Sequence, residues 1–507
     1  MSGTATSLQV SPLARLSALI GESVDLRHAA DVIEWDERVY MPPGGAPVHG
    51  EMSATLRRLA HEKFTSTEVI DALAAAEAAV ADADVNSDEA RTIAVTRRDV
   101  DKATRVPAAF VAEQARVVSA AQHAWGEARA ASDFTAFRPH LERIIALKRE
   151  YVTFFPGSDH PYDVLLDDYE PGMTTTDVNA VFDALRGRQV ELVRRVAERP
   201  QVDDGFLRTP HDEQALIDVS VEVITAFGFD FSRGRQDKSI HPFCTSFGSD
   251  DVRITTRFVE SYPLSLLFGT MHETGHALYE QGVSGTYQRT VLEGGASLGI
   301  HESQSRLWEN IVGRSLPFWE HFFPRLQRQF PTQLGGVTLD QFYRGINRVE
   351  RSLIRVEADE ATYNLHVMLR VELEIALIEG RLEPADLEEA WNSRMREYLG
   401  VTPPNAAKGV LQDIHWSAGL FGYFATYTLG NVIAAQLART FSTQHSSFDA
   451  DMRRGDFSGL LAWLRTNLHQ HGRKFEPREL VQMITGGGID PSAYLEYLEN
   501  KYLAVYA

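Results

Sequence analysis

The chain of 507 residues has a single cysteine, Cys244, so no intrachain disulfide can form. That fits a reducing compartment, and a lone cysteine of this kind reads as a small buried residue rather than a nucleophile. Basic residues are scarce relative to acidic ones, 50 Lys and Arg against 70 Asp and Glu. The resulting net charge of −20 excludes nucleic-acid or anionic-membrane binding as a main role. No basic segment followed by an apolar run opens the sequence, so it carries no recognisable secretory signal, and a cytoplasmic location is expected. The stretch before about Leu13 carries no readable signal. Long apolar runs are also missing, with one imitation. From Ser417 to Ala438 no residue is charged, which is long enough to cross a bilayer. Ser417, Thr426, Thr428, Asn431 and Gln436 interrupt it, so it reads as a helix buried in a large core. Pro- or Ser-rich linkers, tandem repeats and low-complexity tracts are absent. A single body over residues 1–507 is expected, its two helical walls flanking one cleft.

What is present is mostly helix. Residues 87–155 and 177–199 repeat apolar side chains at three- and four-residue steps, although Gln189 falls on the apolar face of the second. The stretches 339–380 and 456–469 read the same way, and Ala72 to Ala81 is good helix material. Gly486-Gly487-Gly488 lacks the residues of a phosphate loop and reads as a turn. One strand is legible, Val252 to Val259. The fold class expected is therefore all-α, with a minor strand element bordering an active-site cleft.

The chemistry concentrates in Met271-His272-Glu273-Thr274-Gly275-His276. On a helix, residues four apart share a face, so His272 and His276 can grip one cation. Glu273 then lies beside the metal, where a carboxylate can take a proton from a bound water. Ser261 and Pro263 mark a helix start and Gly282 a stop. A catalytic zinc needs a third protein ligand. His301-Glu302-Ser303 begins 25 residues after His276, and Glu302 is the choice. Glu302 also stands at i−4 from Arg306, a spacing that makes a plain ion pair. Glu293 and Glu309 are rivals by spacing, and His301 is either ligand or neighbour. Gly295-Ala296-Ser297-Leu298-Gly299 matches the serine-hydrolase elbow, but its preceding residues read as loop rather than strand, so Ser297 is not taken as a nucleophile.

Further clusters are His241-Pro242-Phe243, Asp251-Val252-Arg253-Ile254-Thr255, Ile354-Arg355-Val356-Glu357-Ala358-Asp359 and Gly409 to Trp416, with Tyr423 and Tyr427 close behind. The Arg355 cluster sits on a helical pattern, where Arg355 and Asp359 would pair locally. Taken in order, these motifs resemble those of the carboxypeptidase Taq family of zinc metallocarboxypeptidases, from about Trp35 to the C-terminus. The resemblance implies an almost wholly helical, homodimeric enzyme that trims single residues from peptide C-termini with broad specificity. It implies one Zn2+ per chain, with Co2+ able to substitute, held by His272, His276 and Glu302, and Glu273 as general base. Arg355 would receive the substrate's terminal carboxylate, with Arg253 as rival anchor and His241 lining the cleft. His415, Tyr423 and Tyr427 are candidate donors to the oxyanion. Peptides are the partners expected, with no nucleic acid and no membrane. An endo-acting oligopeptidase would share the metal chemistry without a carboxylate anchor, and a non-catalytic helical scaffold would dispense with both.

Overall fold

The helical pattern of 87–155 resolves into three helices, Asp88–Arg105, Ala108–Ala131 and Phe134–Thr153. Pro107 separates the first two, and Ser132 in a left-handed conformation ends the second. Asp133 then caps the third, accepting from the Ala136 amide. The same local chemistry organises the rest of the computed structural model, which describes residues 11–507. Among the described residues there are 21 α-helices and one small sheet, and the fold is 68% helical. Thr175–Ala197 is one helix, and Gln189 on its inner face is fully buried because its side-chain amide donates to the Ala361 carbonyl. Thr67–Ala79 and Ser458–Asn467 are helical as expected, and Gly486 is the left-handed cap of helix Pro477–Thr485.

Two stretches differ from expectation. Residues 339–380 are not one helix. Helix Leu339–Ile346 stops, a non-helical segment follows, and helix Glu360–Glu379 begins with Asp359 as its cap. Asp359 is spent on the amides of Ala361 and Thr362, so the expected local pair with Arg355 does not form. The uncharged stretch is helical only from Ala425, and that helix runs on to Gln444. Gly419 and Gly422 take positive φ values that hold the preceding residues in turns. Its polar side chains are used inside the protein: Asn431 donates to Asn364 and Gln436 to the Gly488 carbonyl. Among the described residues, no helix is long and apolar enough to cross a membrane.

The sheet contains β1 (Gly234–Lys238), β2 (Cys244–Ser246) and β3 (Val252–Thr256). β3 lies in the middle, parallel to β1 and antiparallel to β2. The strand expected to reach Val259 stops at Thr256, opposite Lys238, where its partner runs out. β1 and β2 escape sequence reading because Gly-Arg-Gln-Asp-Lys and Cys-Thr-Ser lack the apolar alternation of a strand. The sheet packs against helix Ser265–Glu280, which carries the His-Glu motif, and β1 and β2 are its two edges.

Candidate metal centre and adjoining arginine cluster

Helix Ser265–Glu280 starts just after the Ser261-Tyr262-Pro263 signal and ends just before Gly282. Leu267, Met271 and Leu278 sink into the core, which leaves His272 and His276 half-buried on one face. Helix Leu298–Arg306 crosses behind them, and two glycines let the backbones approach. A Cβ on Gly275 would stand 2.5 Å from the Gln304 carbonyl oxygen, and one on Gly430 would stand 2.6 Å from Glu302 Cγ. Glu302 is thereby pressed between the histidine helix and helix Ala425–Gln444.

One ligand atom from each of His272, His276 and Glu302 can be chosen so that all lie within 4.8 Å of one another. Glu302 Oε2 is 3.6 Å from His272 Nε2 and 3.5 Å from His276 Nε2. Atoms about 2.0–2.1 Å from a tetrahedral ion stand roughly 3.3–3.4 Å apart, so the three fit one small cation. The expected ion pair exists as well: Arg306 Nε donates to Glu302 Oε1 at 2.7 Å, while Oε2, which also accepts from Ser305 Oγ at 3.0 Å, faces the two imidazoles.

The ring nitrogens facing away are held too. His272 Nδ1 meets Glu309 Oε2 at 2.9 Å. His276 Nδ1 meets His301 Nδ1 at 2.6 Å, and His301 Nε2 meets Glu280 Oε1 at 2.7 Å. If both Nε2 atoms keep lone pairs for a metal, each Nδ1 carries a proton. We assign His272 as donating to Glu309, His276 to His301, and His301 through Nε2–H to Glu280. Glu309 and His301 are thus neighbours of the ligands. Glu309 reaches His272 because the glutamate helix widens into a π-helical turn over Leu307–Val312. Glu293, the third rival, lies elsewhere and accepts from the Arg289 amide. Ser297 caps the glutamate helix by accepting from the Ile300 amide.

Burial draws His276 down to about 4, which keeps it a neutral ligand at pH 7. Burial would also lower His272, but the carboxylates of Glu302 and Glu309 raise it overall. Burial lifts Glu273 to about 7. Cys244 sits on β2 near Glu273 and Glu280, and burial raises its thiol well above its ordinary value. It is half-buried, and its raised thiol fits the expected non-nucleophilic reading.

A second cluster centres on Asp413. Arg355 Nη2 and Nε donate to Asp413 Oδ1 at 2.8 and 3.0 Å. Arg370 Nε donates to Asp413 Oδ2 at 2.7 Å and is fully buried. Burial alone would raise the Asp413 carboxyl, but the two arginines hold it well below the usual carboxylate range. Arg355 Nη1 donates to the Tyr363 hydroxyl at 2.9 Å, and the guanidinium lies 4.9 Å from the Tyr427 ring centre. His415 Nε2 is 3.2 Å from the Tyr427 hydroxyl. Burial, then Arg355, pushes His415 down to about 3, so it is neutral. Tyr423 packs on Tyr427, 5.4 Å between ring centres. Tyr363 joins this cluster to the metal centre, because Arg306 covers its ring at 4.5 Å. Glu302 also acts on Tyr423 and Tyr427, adding to the rise of both phenols that burial begins.

Comparison with known proteins decides the family. The profile described as carboxypeptidase Taq (M32) metallopeptidase matches residues 15–502. The chain belongs to this family. Its chemistry is accordingly that of a metallocarboxypeptidase. It is 41% identical over 498 residues to thermostable carboxypeptidase 1 of Thermus thermophilus, covering 96% of this chain and 97% of that one. Carboxypeptidase 1 of Bacillus subtilis is 36% identical, covering 94% and 95%. The M32 carboxypeptidase crystal structure from Deinococcus radiodurans superposes with a TM-score of 0.94 at 40% identity, covering 98% and 99%.

The remaining sequence candidates sit on the sheet side. Arg253, on β3, clasps Asp251 with two nitrogens at 2.8 and 2.7 Å and lies 4.3 Å from the Trp35 ring centre. His241 is exposed, and its carbonyl accepts from Ser239 Oγ. Sequence reasoning missed Arg370, Tyr363 and Glu280. Arg370 and Tyr363 lie on helix Glu360–Glu379, seven residues apart, and so share a face.

Proposed function

We propose that the chain removes single residues from peptide C-termini, with broad specificity, using Zn2+ held by His272, His276 and Glu302. When bound, the cation supplies a Lewis acid for the attacking water and the scissile carbonyl. Glu273 takes the water's proton and delivers it to the leaving amine. Tyr423 and Tyr427 donate to the developing oxyanion, with His415 orienting the Tyr427 hydroxyl. Arg355 receives the terminal carboxylate, which makes the enzyme an exopeptidase. The observation that carries this reading is the charge of the two clusters. At the metal centre the carboxylates of Glu280, Glu302 and Glu309 face two arginines, Arg306 and Arg314, with Glu273 beside them, so the excess is negative and favours a bound cation. At the second cluster two arginines share one aspartate, so a single carboxylate restores balance.

Zinc is favoured by two imidazoles and one carboxylate at tetrahedral spacing, and Co2+ would fit the same donors. The chain forms one domain and works in the cytosol, in keeping with its single cysteine. A homodimer is the proposed assembly, and helix Ala46–Phe64 offers Val48, Met52 and Leu59 as exposed apolar contacts for it. Light scattering giving a 56.6 kDa particle at micromolar concentration would rule the dimer out. The reaction is tested by time-resolved mass spectrometry of a mixed peptide, before and after chelation and zinc return. A ladder shortened one residue at a time from the C-terminus, lost on chelation and restored by zinc, is expected. Internal fragments would point to an oligopeptidase instead.

A further inference from the structure

A cavity of about 630 Å3 opens beside the metal centre. His301, the residue behind His276, forms part of its wall. Tyr169 forms another part and packs edge-on against Tyr423, 5.1 Å between ring centres. The cavity therefore adjoins the metal centre and the tyrosine pair through these two side chains. Most charges around it are already committed. Arg473 donates twice to Asp99, at 2.9 and 3.2 Å. Arg98 and Lys102 share Asp167, at 3.2 and 2.7 Å, and Lys102 also lies 2.8 Å from Asp168.

Arg27 differs. It lies on helix Pro12–Val39, lines the cavity and is exposed. Among the described residues, Asp31, Asp99 and Glu293 act on it only at a distance, and none accepts a hydrogen bond from it. Four basic side chains thus line this wall with three carboxylates, in a chain whose net charge is −20. A planar fork of five donors without an acceptor matches a carboxylate.

We infer that this cavity is a substrate subsite for an acidic side chain, with Arg27 as the group that receives it. The side chain belongs to a residue near the scissile bond, because His301 separates the cavity from a metal ligand by one ring. Each peptide residue spans about 3.3–3.6 Å, so positions within about three residues of the cleavage point are in reach. Matched peptides carrying Glu or Gln at the last, second-last or third-last position test this. Wild type should favour Glu over Gln about two- to fivefold in kcat/KM at one of these positions, through KM, which is the scale of a partly exposed charged contact. The ratio should shrink in 0.5 M salt. Arg27→Gln should bring it close to one, and Arg27→Lys should keep part of it. Because the ratio is taken within each variant, a general loss of activity cancels. A wild-type ratio near one at all three positions, or an unchanged ratio in Arg27→Gln, would overturn the inference.

Discussion

The metal centre and the arginine cluster are built from the same materials with opposite results. Around His272 and His276, carboxylates outnumber arginines. Around Asp413, arginines outnumber carboxylates. Both are buried, where an unbalanced charge is expensive. In the proposed reading a divalent cation completes the first and the substrate's carboxylate the second. They differ also in how rigidly they are held. Each metal-facing imidazole is fixed by one bond from its rear nitrogen, whereas Arg355 is held on both sides of its fork, by Asp413 and by Tyr363. Tyr363 lies between the two, so a peptide end placed on one is within reach of the other.

The most damaging way to break this arrangement is at the proton acceptor beside the metal site. Glu273→Gln keeps shape and metal but removes the base, and kcat should fall at least about a hundredfold. Near-normal turnover with metal bound would remove Glu273 from the mechanism. The next effect belongs to the rear of the metal site. Glu309→Ala releases His272 Nδ1, and metal affinity should weaken by about ten- to a hundredfold in competition with a chelator. Glu293→Ala, which touches neither ligand, should leave it unchanged. Equal loss in both would mean that proximity rather than orientation governs the site.

A smaller effect sharpens the arginine side. Glu374 holds the segment that carries Asp413 and His415, accepting from Trp416 Nε1, the Gly422 amide and the Tyr162 hydroxyl. Burial raises its carboxyl to about 7. The folded protein then binds a proton that the unfolded chain has lost between about 4.5 and 7. Its contribution is full below about 4.5 and fades as pH rises through about 7, by at most about 3 kcal/mol. The Tm of wild type should therefore fall relative to that of Glu374→Gln between pH 5 and pH 8. Parallel Tm profiles would show that Glu374 does not titrate in this range.

The two regions were also unequally legible in the sequence. His272, Glu273 and His276 are local, four residues apart on one helix, so spacing alone reveals their shared face. Glu302 needed a second helix, and its choice over Glu309 depends on a π-helical turn that no periodicity announces. The arginine cluster is non-local. Arg355 and Asp413 are 58 residues apart, and nothing in the sequence pattern links them. The helical reading of 339–380 even pointed Arg355 to Asp359, which instead caps the next helix. The helices themselves were readable from apolar spacing, whereas β1 and β2 were not, because their residues are polar and their pairing is made across the chain.

The central claim is that the arginine cluster makes this metallopeptidase an exopeptidase, and one comparison tests it most directly. kcat/KM is measured for a peptide with a free C-terminus and for its C-terminal amide, in wild type, Arg355→Ala and Arg253→Ala. Losing one partner of a buried charged contact costs about 2–5 kcal/mol, so Arg355→Ala should lose about thirtyfold or more on the free acid and little on the already poor amide. Arg355→Lys should recover only part, since a point charge cannot replace the fork. If Arg355→Ala discriminates between acid and amide as well as wild type does, while Arg253→Ala does not, the anchor is Arg253 on the sheet and the account of the Asp413 cluster is wrong.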